Sequence, residues 1–260
     1  MVRKVYVSSK FRKEGSSSNF RYELPIDIEP HQDTHIAVTD VIIPHSWYNV
    51  QASSNKFYFH EGVLDKVGTL DSGHYTASQL ASALALKMNA VAGAGITYSV
   101  SAPTATTNRM VISQTGGSGF FVYSDADMMI NGRYVDVTPL SNPQSINKYL
   151  NIVTSRAVIT TYTTGLIVLI QTPEVFIRSP DMGLDTLDGN TGRRDILKKI
   201  PVDKPHGELI VSSNTFEASD LSKLGSTLRS FTIQLTDDHG NVIDLQNADF
   251  SFTLNIVESP

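Results

Sequence analysis

Two stretches near the end of the chain constrain the fold most. Phe231, Ile233 and Leu235 alternate with Thr232, Gln234 and Thr236, and Phe250, Phe252, Leu254 and Ile256 alternate with Ser251, Thr253 and Asn255. A period of two puts one face of each segment in a core and the other in a polar setting, as in antiparallel strands. Between them, Asp237-Asp238-His239-Gly240-Asn241 has the composition of a turn, with Gly240 able to take a positive φ. The pattern predicts Arg229 to Thr236 paired antiparallel with Asp249 to Ile256 as a hairpin. Nothing in that hairpin carries catalytic chemistry.

The rest of the chain has the same character. Lys4–Ser8, Phe20–Leu24, His35–Ile43, Lys56–His60, Ile96–Val100, Arg109–Ser113, Gly119–Tyr123, Val175–Arg178 and Glu208–Ser212 read as short strands. Leu166–Ile170 is unbroken in apolarity and reads as a strand buried on both faces. Pro25 and Pro44 are expected to stop the strands that precede them, and Lys13–Asn19 reads as a flexible loop. One helix stands out. Thr76-Ala-Ser-Gln79 fits a capping box, after which Leu80, Leu84 and Met88 share a face with Ala77, Ala81 and Val91 beside them. Gly93 and Gly95 end it. A second helical turn is expected at Asp195–Lys199, capped by Gly192-Arg-Arg-Asp195. About ten short strands with one amphipathic helix indicate an all-β sandwich or barrel.

A chain of 260 residues buries roughly 75% of its unfolded surface, enough for a sizeable core in one domain. The net charge of -5 argues against nucleic-acid binding by the surface as a whole. The absence of cysteine excludes disulfides and thiolate metal sites. There is no apolar N-terminal run, no apolar stretch near ~20 residues and no glycosylation sequon, so the expectation is a soluble protein made inside the cell.

Candidate chemistry is thin. His31 and His35 have helical ligand spacing, but Pro30 and the β-branched run after it favour surface histidines. Asp181, Asp185 and Asp188 form an acidic loop without the calcium-loop spacing. Thr115–Gly119 lacks the Lys-Ser/Thr ending of a phosphate loop, and no Gly-x-Ser-x-Gly elbow occurs. The expectation is no catalytic residue, no metal, no cofactor and no small-molecule substrate. Two regions suggest partners. Arg3, Lys4, Lys10, Arg12 and Lys13 make a basic terminus (residues 1–19 as an arm) that suits either acidic neighbours or nucleic-acid phosphates, or is a solvated terminal strand. Trp47 and Tyr48 suit either an interface or a core.

Taken in order, Ile43-Pro-His-Ser-Trp-Tyr-Asn-Val50, Gly73–Leu80, Phe176-Ile-Arg-Ser-Pro180, Asp195-Ile-Leu-Lys-Lys-Ile-Pro-Val202, Leu235–Leu245 and Asp249–Leu254 resemble the penton-type minor capsid proteins of double-stranded DNA viruses with double jelly-roll major capsid proteins, virophages and Maverick/polinton-like viruses among them. The resemblance spans nearly the whole chain and rests most on the terminal Asp-Gly turn. It implies one jelly-roll capsid domain over 1–260, in a homopentamer at icosahedral five-fold vertices of the virion, made in the host cytoplasm. Its partners would be further copies of itself, the major capsid protein and other minor capsid proteins, with the arm running along the inner side of the shell near genome or membrane. Residues 54–150 exceed a minimal eight-strand roll and would be an insertion on the outer surface. A minor or cement capsid protein away from the vertices is the nearest alternative, and a jelly-roll carbohydrate-binding module a more distant one. No Arg-Gly-Asp triplet supports receptor binding.

Overall fold

A computed structural model describes residues 2–29, 34–104, 106–130, 145–152, 157–170, 172–182, 187–189, 192–213, 222–223 and 227–258. The chain opens with β1 (Val2–Ser8), β2 (Glu14–Gly15), β3 (Asn19–Ile28) and β4 (Thr34–Pro44). It then runs through β5 (Lys56–Glu61), β6 (Leu64–Thr69), α1 (Ala77–Val91), β7 (Thr97–Val100), β8 (Val111–Thr115), β9 (Phe120–Val122), α2 (Asp125–Ile130), α3 (Ile146–Tyr149) and β10 (Thr161–Thr163). It closes with β11 (Glu174–Arg178), β12 (Ile196–Pro201), β13 (Leu209–Ser212), β14 (Ser222–Lys223), β15 (Leu228–Thr236) and β16 (Ser251–Glu258). Two compact units result, one from Met1–Trp47 with Thr172–Pro260 and one from Tyr48–Gln171. The second begins before residue 54 and ends after residue 150, so it is larger than the segment the sequence set apart.

The first unit is a single jelly-roll sandwich. One sheet has the order β1-β16-β4-β13, with β14 also on β4, and the other has the order β12-β11-β15-β3-β2. Ile36, Val38, Phe252, Leu254 and Ile256 from the first sheet and Phe20, Val175, Ile177, Phe231, Ile233 and Leu235 from the second share one buried core. The expected terminal hairpin does not form. β15 pairs with β11 and β3, whereas β16 pairs with β1 and β4. The turn itself is real: Gly240 takes φ +84° and Val242 bridges back to Thr236. Beyond it, buried Ile243, Leu245 and Phe250 carry the chain across the core to the opposite sheet. Alternation reports which face is apolar, and strands in two facing sheets of a sandwich satisfy it as well as a hairpin does.

Other local expectations yield to tertiary pairing. β3 runs through Pro25 because Ser230 faces Glu23 but Leu228 faces Ile28, so residues 24–27 bulge and need no ladder donor at the proline. The expected loop at Lys13–Asn19 contains β2, folded back onto β3 through Gly15 at φ +94°. A Cβ there would lie 2.1 Å from the Asn19 carbonyl oxygen, so only glycine fits. Asp195–Lys199 is no helical turn, since Ile196–Pro201 is β12, paired along β11.

The second unit contains the sheets β10-β8-β7 and β6-β5-β9 and its own core. Helix α1 packs on β6 and β7 and buries Leu80, Ala81, Leu84 and Met88. Its capping box is closed, with the Gln79 N–H donating to Thr76 Oγ1 at 3.3 Å and the Thr76 N–H to Gln79 Oε1 at 2.9 Å. Thr76→Ala is expected to lower stability by about 1 kcal/mol, read by urea titration of helical circular dichroism. Leu166–Ile170 is not a buried strand. It lies outside the strands, with the Ile167 N–H donating to the Asn108 carbonyl, the Val168 N–H to the Tyr149 carbonyl, and the Asn108 and Asn151 side-chain amides donating to the Ile167 and Leu166 carbonyls. Leu166, Val168 and Ile170 are exposed. An apolar run carries no phase, so it cannot say which of its residues face inward.

Candidate assembly surfaces

The basic terminus is not a free arm. β1 pairs with β16 along its whole length, Val7 is buried, and Ser9–Phe11 forms a single 3-10 turn. Arg12 is tied down, donating to the Ser9 carbonyl (2.8 Å), the Gly15 carbonyl (3.2 Å) and Asp249 (3.1 Å). Lys13 lies 3.7 Å from Glu23. Lys4 and Lys10 are exposed, as are Val2, Tyr6 and Phe11. The solvated-terminal-strand reading therefore describes the backbone here, and the exposed part is a sheet edge with cations and aromatics on it.

Trp47 is only 5% exposed and belongs to the jelly-roll core, which favours the packing reading over the interface one. Tyr48 is half-buried. The Trp47 ring lies 4.2 Å from that of His45, which is 5.8 Å from that of His206. His45 Nδ1 donates to the Lys204 carbonyl at 2.6 Å. Burial lowers the His45 pKa from its ordinary 6.5, and His206 adds to this, while the Lys204 carbonyl opposes it. The unfolded chain then binds the proton more readily than the folded one. Stability is full above about pH 6.5 and falls as the pH drops from there through the depressed folded value. His45→Gln is expected to flatten that part of the profile, and an unchanged slope in thermal melts between pH 7 and 5 would exclude His45 as its source.

Buried polar groups form a network in each unit. The Arg178 side chain, 1% exposed, donates to Asp188 (2.7 Å), Asp195 (2.8 Å) and Thr236 (2.9 Å). Arg193 also pairs with Asp195. The β11–β12 ladder shifts register between Ile177 and Arg178, while along β11 Val175 and Ile177 face the core and Arg178 lies on the other face with Phe176, its guanidinium 5.3 Å from that ring. The sequence pattern puts Asp188 in an acidic loop and Asp195 at a helical cap, whereas the structure joins both to Arg178. Of that loop, Asp181 accepts from the Thr232 N–H at 2.7 Å, and Asp185 lies outside the described residues. In the second unit, buried Glu61 accepts from Tyr98 Oη and the Gly93 N–H, both at 2.8 Å, and Gln114 Nε2 donates to Tyr98 Oη. Burial, followed by the Glu61 hydrogen bond, pushes the Tyr98 phenol up. Burial likewise pushes Tyr149 up to about 12, against the opposing bond from Ser54.

His31 lies outside the described residues, and His35 sits in β4 opposite Val257. Asp237, Asp238 and His239 bring ligand atoms within 4.8 Å of one another. Asp237 Oδ1 is already engaged there, accepting from the His239 and Asn241 N–H groups at 2.9 and 2.8 Å, which closes the turn itself. No helix among the described residues is long and apolar enough to cross a membrane.

No family model matches the sequence, and no curated protein matches it. The structure is similar to the crystal structure of the mavirus penton protein, with a TM-score of 0.53 and 9% identity over 99% of each chain. The fold is penton-like. The similarity spans both units. Of the segments that resemble penton proteins in sequence, Phe176–Pro180, Asp195–Val202, Leu235–Leu245 and Asp249–Leu254 lie in the roll, Ile43–Val50 leads out of β4, and Gly73–Leu80 opens α1 in the second unit. Phe176–Pro180 and Asp195–Val202 are the strand ends that Arg178 and Asp195 lock together.

Proposed function

We propose that this chain is a structural capsid protein, the penton subunit that closes the five-fold vertices of an icosahedral double-stranded DNA virus as a homopentamer. The observation that carries the reading is the penton-like jelly roll, matched end to end with a viral penton protein. In this reading the protein resides in the virion and meets the major capsid protein and other minor capsid proteins at its margins. Residues 54–150, which fall within the unit Tyr48–Gln171, form an insertion on the outer surface in this reading. A permanent ring of this kind requires subunit contacts of the order of 2,000 Å² or more in total.

Density in an intact particle tests the reading. Five copies of this chain around each five-fold axis are expected. Finding it only between capsomers elsewhere in the shell would make it a cement protein instead.

A further inference from the structure

Among the described residues no strand pairs with the outer edges of β1 and β13 in the β1-β16-β4-β13 sheet, and these two edges match each other in parity, direction and chemistry. Along an antiparallel strand the N–H and C=O of one residue point to the same side, and the side alternates residue by residue. In β13, the Glu208 carbonyl accepts from the His45 N–H at 2.9 Å, so Glu208, Ile210 and Ser212 face β4. Leu209 stands opposite Pro44, which has no N–H to give. Leu209 and Val211 therefore turn their backbone groups to the free edge, and their side chains are 55% and 54% exposed. In β1, the Ser9 N–H bonds the Phe250 carbonyl, so odd-numbered residues face β16. Consistent with this, the Tyr6 carbonyl turns outward and accepts from Tyr22 Oη at 3.4 Å, which leaves it a second lone pair. Val2, Lys4 and Tyr6 thus present edge backbone groups, with Tyr6 74% exposed.

We propose that β1 of one copy pairs with β13 of the next, continuing the sheet from subunit to subunit. This deepens the pentamer reading above and rests on it. The occupant is a second copy of this chain because each edge supplies what the other lacks. Successive neighbours in the sheet are antiparallel, so β1 and β13 run in opposite directions. Copies arranged side by side about a rotation axis along the strands then meet antiparallel, head to tail, as a closed ring requires. With Tyr6 opposite Leu209, Val5 falls opposite Ile210. The outward pair joins two exposed apolar side chains, and the inward pair extends the core face of both copies. Lys4 then falls opposite Val211, on the outward face that also carries exposed Asp40 of β4.

Charge gives the direction. Residues 1–13 hold five positive side chains and no negative one in a chain of net charge -5, which leaves -10 on the remainder. A lysine on a sheet edge deters indiscriminate strand pairing, and the net negative charge of the rest of a second copy favours its approach to this basic edge.

The chain has no cysteine, so engineered ones report alone. Tyr6→Cys and Leu209→Cys are exposed substitutions, and their melting temperatures should match the parent. Under mild oxidation the double variant is expected to give a ladder of covalent oligomers ending in a closed species. An equimolar mixture of the two single variants should give only mixed dimers, and neither single variant alone should cross-link. Self-cross-linking of a single variant would mean a symmetric edge and overturn the proposal. So would no cross-link in the double variant at its highest soluble concentration. A native mass of five subunits without cross-linking keeps the penton reading and discards the edge. A ladder closing at another number keeps the edge and discards the five-fold reading.

Discussion

Arg178→Ala is expected to destabilise the jelly-roll unit by about 3–5 kcal/mol, because it removes the buried cation that Asp188 and Asp195 share and leaves Asp195 to the half-exposed Arg193. Asp188 and Asp195 are each 7% exposed at the side chain, too little for water to replace the guanidinium. The fork geometry matters as well as the charge. Three separate donors of Arg178 reach Asp188, Asp195 and Thr236, which lysine cannot reproduce from one ammonium, so Arg178→Lys should recover only part of the loss. The cost should shrink when the carboxylates are neutralised in the same chain. Arg178→Ala combined with Asp188→Asn and Asp195→Asn should be less destabilised than the sum of the separate changes. Urea unfolding followed by the fluorescence of Trp47 measures this directly, since the lone tryptophan sits in the core of the same unit. A cost near 1 kcal/mol for Arg178→Ala would mean that the cluster is solvated in solution and holds little.

That cluster also marks where sequence reading stops. Asp188 and Asp195 lie 10 and 17 residues from Arg178, and Thr236 lies 58 away, so no local pattern joins them. The one local sign was an arginine at the end of Val175-Phe176-Ile177, two residues after Phe176 and so on the face away from the core. Features set within a few residues were legible. Thr76 and Gln79 satisfy one another's backbone donors whatever lies beyond them, and Leu80, Leu84 and Met88 follow from helical spacing. The faces of β15 and β16 were legible for the same reason, whereas their partners were not. Choosing between a hairpin and two facing sheets depends on where β3, β4 and β11 lie, which is information from the other end of the chain. Ile196–Pro201 shows the same limit, because its conformation is fixed by pairing with β11 and not by its own propensity.

The assembly surfaces divide in the same way. Charge counting drew attention to residues 1–13 but could not tell an arm from a strand. The strand is set by Val5 and Val7 lying opposite Leu254 and Phe252 of β16, nearly the full chain length away. Leu209 and Val211 drew no attention, because a strand of four residues with two outward apolar side chains looks like any other in sequence. They acquire meaning only when the open backbone groups of the edge are counted beside them.

Phe252→Asp is the second large effect expected. Phe252 is 2% exposed, stacks on Phe250 with ring centroids 6.0 Å apart, and lies in β16 opposite Val7. Phe250 in turn meets Phe20 of the facing sheet edge-on at 5.8 Å, so the substitution strikes the contact between the two layers. Losing a buried phenylalanine side chain costs roughly 3–5 kcal/mol in a core, and a carboxylate placed there without a partner adds several more. Because whole domains are stable by only about 5–15 kcal/mol, the jelly-roll unit should be largely unfolded at room temperature. Phe252→Leu separates the two contributions, since it keeps the site apolar and should cost only a fraction as much. The helix α1 packs in a core that does not include Phe252, so helical circular dichroism follows the second unit while Trp47 fluorescence follows the first. A Trp47 emission spectrum and melting temperature unchanged in Phe252→Asp would place that residue outside the core and would remove β16 from the centre of its sheet.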